Sequence, residues 1–307
     1  MEFTDVIVRG KPFLSNLLDG RWEDTALVVA GGGFQGVWSG GVLMVMQELG
    51  LSRAFKAAYG VSSGSSNVAL FLAGQTRLGA PIYYQDLVDH RYCSFWRWPP
   101  VNIAYLVDEI FGKAKPLNTE AIITSGTVFK IPIVDTDGDV HFLTVGDGYS
   151  VLEALKFGMS FFPYSRAPLP WKNMWYFDGR MAEPLPFRKA LADGSKNILV
   201  LINQSVHMVV HDEGLFSRAF KWPFLRRQSS GFRRVYQARH RKYQEQLADL
   251  IGGELPHDAN VTIIAPHQQH PTIPFYTRNS LAIRELCLLG IAAGQQVFGR
   301  TVKVTLP

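Results

Sequence analysis

The sequence predicts an α/β fold, and three observations carry that expectation. Apolar runs of strand length at residues 25–30, 55–59, 198–202 and 261–264 alternate with helix-like stretches at 37–49, after Gly64 and at 281–298. Glycine-rich turns join the first two strands to the helices that follow them. With 307 residues, 47% of them hydrophobic and 19% charged, the chain suits one large domain or two small ones, and wholesale disorder is excluded.

Taken in order, residues 1–24 read as an N-terminal arm and 25–307 as the main domain. The N-terminus has no basic region followed by an apolar one, so a secretory signal is not expected and a cytoplasmic location is. Residues 26–46 carry no charge and are long enough to span a bilayer, yet six are glycine, three of them consecutive. A strand, a glycine turn and a buried helix explain that stretch better than a transmembrane helix.

Residues 128–145 read as a hairpin around Asp135-Thr136-Asp137-Gly138-Asp139. The acidic spacing invites a calcium loop, but the glycine stands fourth and Gly146 occupies the twelfth position, so a turn is expected. Residues 212–232 read as an irregular insert. Cys93 and Cys287 are too few for a disulfide framework and read as buried thiols.

The net charge of +5 is concentrated in one segment. Nine Lys/Arg and no acid lie in 214–244, which leaves 22 Lys/Arg against 26 Asp/Glu elsewhere, or −4. Ser229-Ser230 is a candidate cap for a helix ending at Gly252-Gly253, with Phe232, Val235, Tyr236, Tyr243, Leu247 and Leu250 on one face and Arg239 out of pattern. Before it, Trp222 and several phenylalanines alternate with cations. Arg226, Arg227, Arg233, Arg234 and Trp222 are therefore candidates for docking on an anionic membrane. Nucleic acid is the less favoured partner, and a solvated helix packed on the core accounts for the same letters.

Two motifs compete for the chemistry. Gly31-Gly32-Gly33-Phe34-Gln35-Gly36 satisfies the dinucleotide fingerprint, but the second strand ends in Ala58-Tyr59-Gly60 without the acid that would hold a ribose. Gly60-Val61-Ser62-Ser63-Gly64 has the G-x-S-x-G form of a nucleophile turn between strand and helix. On that view the amides near Gly32, Gly33 and Phe34 are candidate oxyanion donors. The eight histidines include no marked base for Ser62, and the pairs His207/His211 and His267/His270 match no zinc pattern, so no metal site is expected.

With these motifs in order, the chain resembles the patatin-like phospholipase family across roughly residues 24–300. Gly31 to Gly36 with Gly41-Val42-Leu43 is similar to the family's oxyanion motif, and Gly60 to Gly64 to its nucleophile turn. Phe157 to Pro163, then Trp175-Tyr176-Phe177-Asp178-Gly179-Arg180 with Pro184-Leu185-Pro186, resemble the approach to the family's acid. The resemblance implies a single three-layer α/β/α domain with a largely parallel central sheet. It also implies a Ser62–Asp178 dyad without histidine, oxyanion donors at Gly31, Gly32, Gly33 and Phe34, fatty-acyl ester substrates and no cofactor. The chain departs from the pattern at Gln35, where arginine is usual, and at Arg180, where Gly or Ala is usual. A nucleotide-binding protein and a catalytically silent membrane-binding protein of the same fold stay open as alternatives.

Overall fold

The computed structural model describes residues 3–20, 24–94, 96–165, 174–208, 215–302, 304 and 306, with side chains left out for 215–218. The strands are β1 (Thr4–Arg9), β2 (Thr25–Val29), β3 (Ala57–Gly60), β4 (Val128–Asp135), β5 (Val140–Thr144), β6 (Tyr176–Asp178), β7 (Asn197–Leu201) and β8 (Asn260–Pro266). They form one sheet in the order β1-β8-β7-β2-β3-β4-β5, with β6 also paired to β4. From β8 across to β4 the strands run parallel, and β1, β5 and β6 are antiparallel additions. The largely parallel sheet expected from the sequence is the one observed.

Among the described residues the α-helices are α1 (Leu14–Leu18), α2 (Val37–Glu48), α3 (Ser63–Leu72), α4 (Thr76–Pro81), α5 (Thr119–Ile123), α6 (Val151–Met159), α7 (Phe187–Ala192), α8 (Leu215–Leu225), α9 (Ser230–Gly252) and α10 (Ser280–Phe298). The alternation along β2 sorts them into layers, because successive strand side chains point to opposite faces. Leu27 and Val29 join the core that α2, α3, α6 and α10 complete. Ala26, Val28 and Ala30 join a second core closed by α7 and the C-terminal half of α9. The result is a three-layer α/β/α sandwich. Helix α10 is long and apolar enough to cross a membrane, yet its Ile283, Leu286, Cys287 and Ile291 are buried in the first core.

Two expectations about the elements are corrected. The first 24 residues are not simply an arm, because Thr4–Arg9 completes the sheet beside β8. Its β-branched Val6-Ile7-Val8 run suits a strand, Thr4 Oγ1 donates to the Ala265 carbonyl at 2.7 Å, and Arg9 Nη1 donates to the Leu250 carbonyl at 2.6 Å. The stretch 212–232 is not wholly irregular, since Leu215–Leu225 is helical; residues 212–214 lie outside the described ones. The 135–139 segment is a turn as expected: Asp135 Oδ1 accepts the amides of Asp137 and Asp139, and Oδ2 contacts His141 Nε2 at 2.7 Å.

Candidate active site

Strand β3 stops at Gly60 and α3 starts at Ser63, so Val61 and Ser62 make the whole turn between them. Ser62 has φ 55° and ψ −127°, a region that costs an L-residue about 1–3 kcal/mol and persists where the surroundings enforce it. Gly64 lets the turn lie close to β2, since a Cβ there would come 2.3 Å from the Val29 carbonyl oxygen. Ser62 precedes α3 without a side-chain capping bond, so its hydroxyl is not spent on the helix, and the positive helix end points toward it.

Asp178 ends β6 opposite Ile133 of β4, with its amide bonded to the Ser160 carbonyl at 2.9 Å. The side chain is fully buried. Oδ1 accepts the Arg180 amide at 2.9 Å, while Oδ2 has no well-formed hydrogen bond. Burial pushes the carboxyl up to about 6, against the opposing pull of the Ser62 hydroxyl, the Arg180 amide and the Arg180 charge. Ser62 and Asp178 are thus brought together, with a contact still too loose to be a standard hydrogen bond, as is common before substrate binds. No histidine lines the cavity that Ser62 faces, among the described residues.

The glycine turn lies directly against this pair. A Cβ on Gly31 would meet Ser62 Cβ at 2.7 Å. Gly33, at φ 56°, has room for no side chain, because a Cβ would come 2.6 Å from the Phe275 carbonyl oxygen. The four expected oxyanion donors now separate. The amides of Gly31 and Gly33 have no acceptor among the described residues, and the Gly32 amide donates to Ser63 Oγ at 3.1 Å. Phe34 drops out as a donor: the left-handed Gly33 turns the next amide onto the C-terminal loop, where it bonds the Phe275 carbonyl at 3.1 Å. Gln35 is spent on the same loop, with Nε2 donating to the Ile273 carbonyl and Oε1 accepting from Gln204.

Several residues of the site are given no role from the sequence. Phe161, Phe275 and Tyr276 wall the cavity at Ser62, and the last two lie in an irregular stretch before α10. Leu70, Ile82, Leu106, Phe111 and Met159 line its apolar depth, which is a narrow space of about 30 Å³. A wider cavity adjoins it across Phe161, Phe275 and Tyr276. Among the described residues, no group of three or more His, Cys, Asp or Glu is arranged to hold a metal ion.

The basic segment divides. On α9, Phe232, Tyr236, Tyr243, Leu247 and Leu250 are buried, which explains the apolar stripe as packing. Ser229 caps the helix as expected, accepting the Phe232 amide at 3.0 Å. Arg226, Arg227 and Arg234 are exposed, and Trp222 and Phe220 are about half exposed. Arg233 is instead turned back onto the end of α8, donating to the Gln228 carbonyl at 2.9 Å. Trp98 stacks on Phe224 with ring centres 4.7 Å apart, and Trp96 is fully exposed nearby in sequence. Gly214 lies outside the described residues, as do the side chains of Phe216 and Arg218.

The fold is thus a three-layer α/β/α sandwich with a serine turn set beside a buried carboxyl. Residues 27–191, just over half of the chain, match the patatin-like phospholipase family, and the chain belongs to that family. Among solved structures it is similar to VipD from Legionella pneumophila, at 10% identity and a TM-score of 0.43, over 97% of this chain and 70% of that one. No curated protein sequence matches it.

Proposed function

We propose that the protein is a serine acyl hydrolase that cleaves fatty-acyl esters of phospholipids or related lipids through Ser62 and Asp178. The observation that carries this reading is a sealed carboxyl with one oxygen unengaged, beside a serine held in a strained turn. At about 6 the carboxyl is mostly ionised near neutral pH, yet is a far better base than an exposed aspartate. Ser62 Oγ attacks the ester carbonyl carbon while its proton passes to Asp178 Oδ2. The tetrahedral oxyanion is held by the amides of Gly31 and Gly33, and by that of Gly32 once the oxyanion displaces Ser63 Oγ. The proton then goes to the departing alkoxide, the acyl group stays on Ser62, and water activated by Asp178 releases the fatty acid.

The exposed Arg226, Arg227, Arg234 and Trp222, with Trp96 and Trp98, support a peripheral docking face for an anionic bilayer. A nucleotide-binding role is disfavoured by the Phe34 amide, which is already bonded to Phe275.

Turnover of a short-chain nitrophenyl ester tests the proposal. Ser62→Ala and Asp178→Asn should each lose roughly a thousandfold or more in kcat, and the double variant should be no worse than the poorer single one. Wild-type turnover by the Ser62→Ala protein would overturn the assignment.

A further inference from the structure

The glycine turn that leads into α2 has no cap of its own. Gly36 precedes the helix and carries no side chain that could accept one of the first free amides. A larger residue is excluded there, because a Cβ on Gly36 would come 2.6 Å from Ser63 Oγ and 3.0 Å from the Tyr83 hydroxyl. The turn thus gives up a local cap in order to lie against α3. A side chain from 164 residues along the sequence supplies one instead: Asn203 Oδ1 accepts the Ser39 amide at 3.1 Å.

The same amide group reaches the other end of the turn. Asn203 Nδ2 donates to the Ala30 carbonyl at 2.7 Å, so Asn203 is bonded to the residue before Gly31 and to one just after Gly36. Strands β2 and β7 pair through Val29 and Leu201, and the Ala30 amide still bonds the Leu201 carbonyl at 2.9 Å. Beyond that point the chains part, and the Asn203 side chain continues the ladder by one rung. Only an amide suits the place, since turning it over would set donor against donor and acceptor against acceptor. Asn203 and Ser39 are both buried, so losing these bonds strands polar groups away from water. A cavity of about 160 Å³, lined by Gln35, Asn203 and Gln204, lies on this side, so bonds rather than close packing restrain the turn here. From the opposite side Asn67 Nδ2 donates to the Gly36 carbonyl at 2.7 Å.

We propose that Asn203 is a positioning residue for ester cleavage: by tying Ala30 to Ser39 it fixes the span of residues 31–36 and aims the Gly31 and Gly33 amides at the oxyanion. The inference rests on the acyl-hydrolase reading above and adds to it a residue that does not line the cavity at Ser62. Its Cβ lies 3.1 Å from where a Gly32 Cβ would sit, so its grip on the turn is direct. A misplacement of about 1 Å in groups that act on the reacting atoms costs on the order of a hundredfold in rate. The amides bind the oxygen most strongly once it is charged, so the loss falls on kcat and spares KM.

Kinetics of Asn203→Leu and Asn203→Asp on a short-chain nitrophenyl ester test the role. The leucine removes both bonds, and the aspartate keeps the acceptor for Ser39 while losing the donor to Ala30. Each should lose roughly tenfold to a hundredfold in kcat, with KM within threefold of wild type. An alkyl trifluoromethyl ketone gives the second readout. Ser62 Oγ bonds to its carbonyl carbon, the hydroxyl proton passes to Asp178, and the C=O electron pair becomes an oxyanion in the same place. Its inhibition constant should weaken by the factor that kcat loses. Circular dichroism checks folding, and Asn203→Asp, which matches asparagine in volume, carries the test if Asn203→Leu does not fold. A folded variant with kcat within threefold of wild type overturns the proposal. So does a loss that appears in KM instead, or a ketone that binds both proteins equally. Such results with an active, Ser62-dependent wild type sink the positioning role and spare the hydrolase. A wild type that cleaves no ester sinks both.

Discussion

The Arg180 amide donates to Asp178 Oδ1 at 2.9 Å, which leaves Oδ2 as the oxygen open to the Ser62 hydroxyl. One carboxyl therefore has two dissimilar edges, one fastened to the backbone and one that the proposed mechanism uses for proton transfer. The fastened edge limits rotation, so the free edge does not need a histidine to aim it.

The pH dependence follows from the same carboxyl. Its value of about 6 lies above that of an unfolded aspartate, so between pH 4 and 6 the unfolded chain releases a proton that the folded chain keeps. Stability falls as pH rises through that window, and the full penalty applies above it. Asp178→Asn should therefore be more stable than wild type by on the order of 2–3 kcal/mol at pH 7.5 and equal to it near pH 4. Urea denaturation at the two values measures this. The kcat/KM of the wild type should rise tenfold per pH step below 6 and level off above it, because the base must be ionised.

Strain at Ser62, the proposed nucleophile, gives a second expectation. Glycine populates φ near +55° readily, so Ser62→Gly should raise stability by about 1 kcal/mol while removing turnover. A thermal melt beside Ser62→Ala, which keeps a Cβ in the same conformation, isolates the backbone contribution. A Gly variant melting below the Ala variant would contradict it.

Gly33→Ala keeps the amide N–H but shifts it out of place, and should cost about a hundredfold in kcat, a loss comparable to that of one oxyanion donor. The new Cβ has to push Phe275 away, which also breaks the bond to the Phe34 amide. Esterase kinetics, with circular dichroism to confirm folding, check the prediction. Turnover within threefold of wild type would remove Gly33 from the donor set.

Docking is tested by changing Arg226, Arg227 and Arg234 to Gln together, leaving Arg233 in place because it closes the end of α8. Three surface cations near an anionic bilayer contribute about 3 kcal/mol, so vesicle affinity should fall roughly a hundredfold at low salt. The difference should vanish near 1 M salt, where the Debye length is only about 3 Å. Co-sedimentation that is equal at low salt would leave these arginines as an ordinary solvated face.

Several elements around the candidate site are legible in the sequence. Local chemistry marks the turn at Ser62 and the Ser229 cap, because each is decided within a few residues, whereas Asp178 is reached through the resemblance of its segment to the family's acid motif. What escaped is decided by distant partners. Strand β1 is recognisable only beside β8, more than 250 residues on. Helix α8 contains Pro223 and mixes aromatics with cations, so its pattern reads as irregular. The Phe34 amide looks available until Phe275 arrives to occupy it, and Arg239 looks misplaced in an apolar stripe until the wider cavity that it lines is seen.

The bond from Phe34 to Phe275 also sets an order in time. A chain leaving the ribosome presents its N-terminal elements first, at about 5–20 residues each second. Ser62 and Asp178 emerge well before β8 and the loop that carries Phe275 and Tyr276. Until then the glycine turn has no carbonyl to anchor it and the cavity lacks a wall. A nascent chain that has not yet reached Phe275 and Tyr276 holds Ser62 and Asp178 without the wall beside them, and in the proposed mechanism competence waits for that loop.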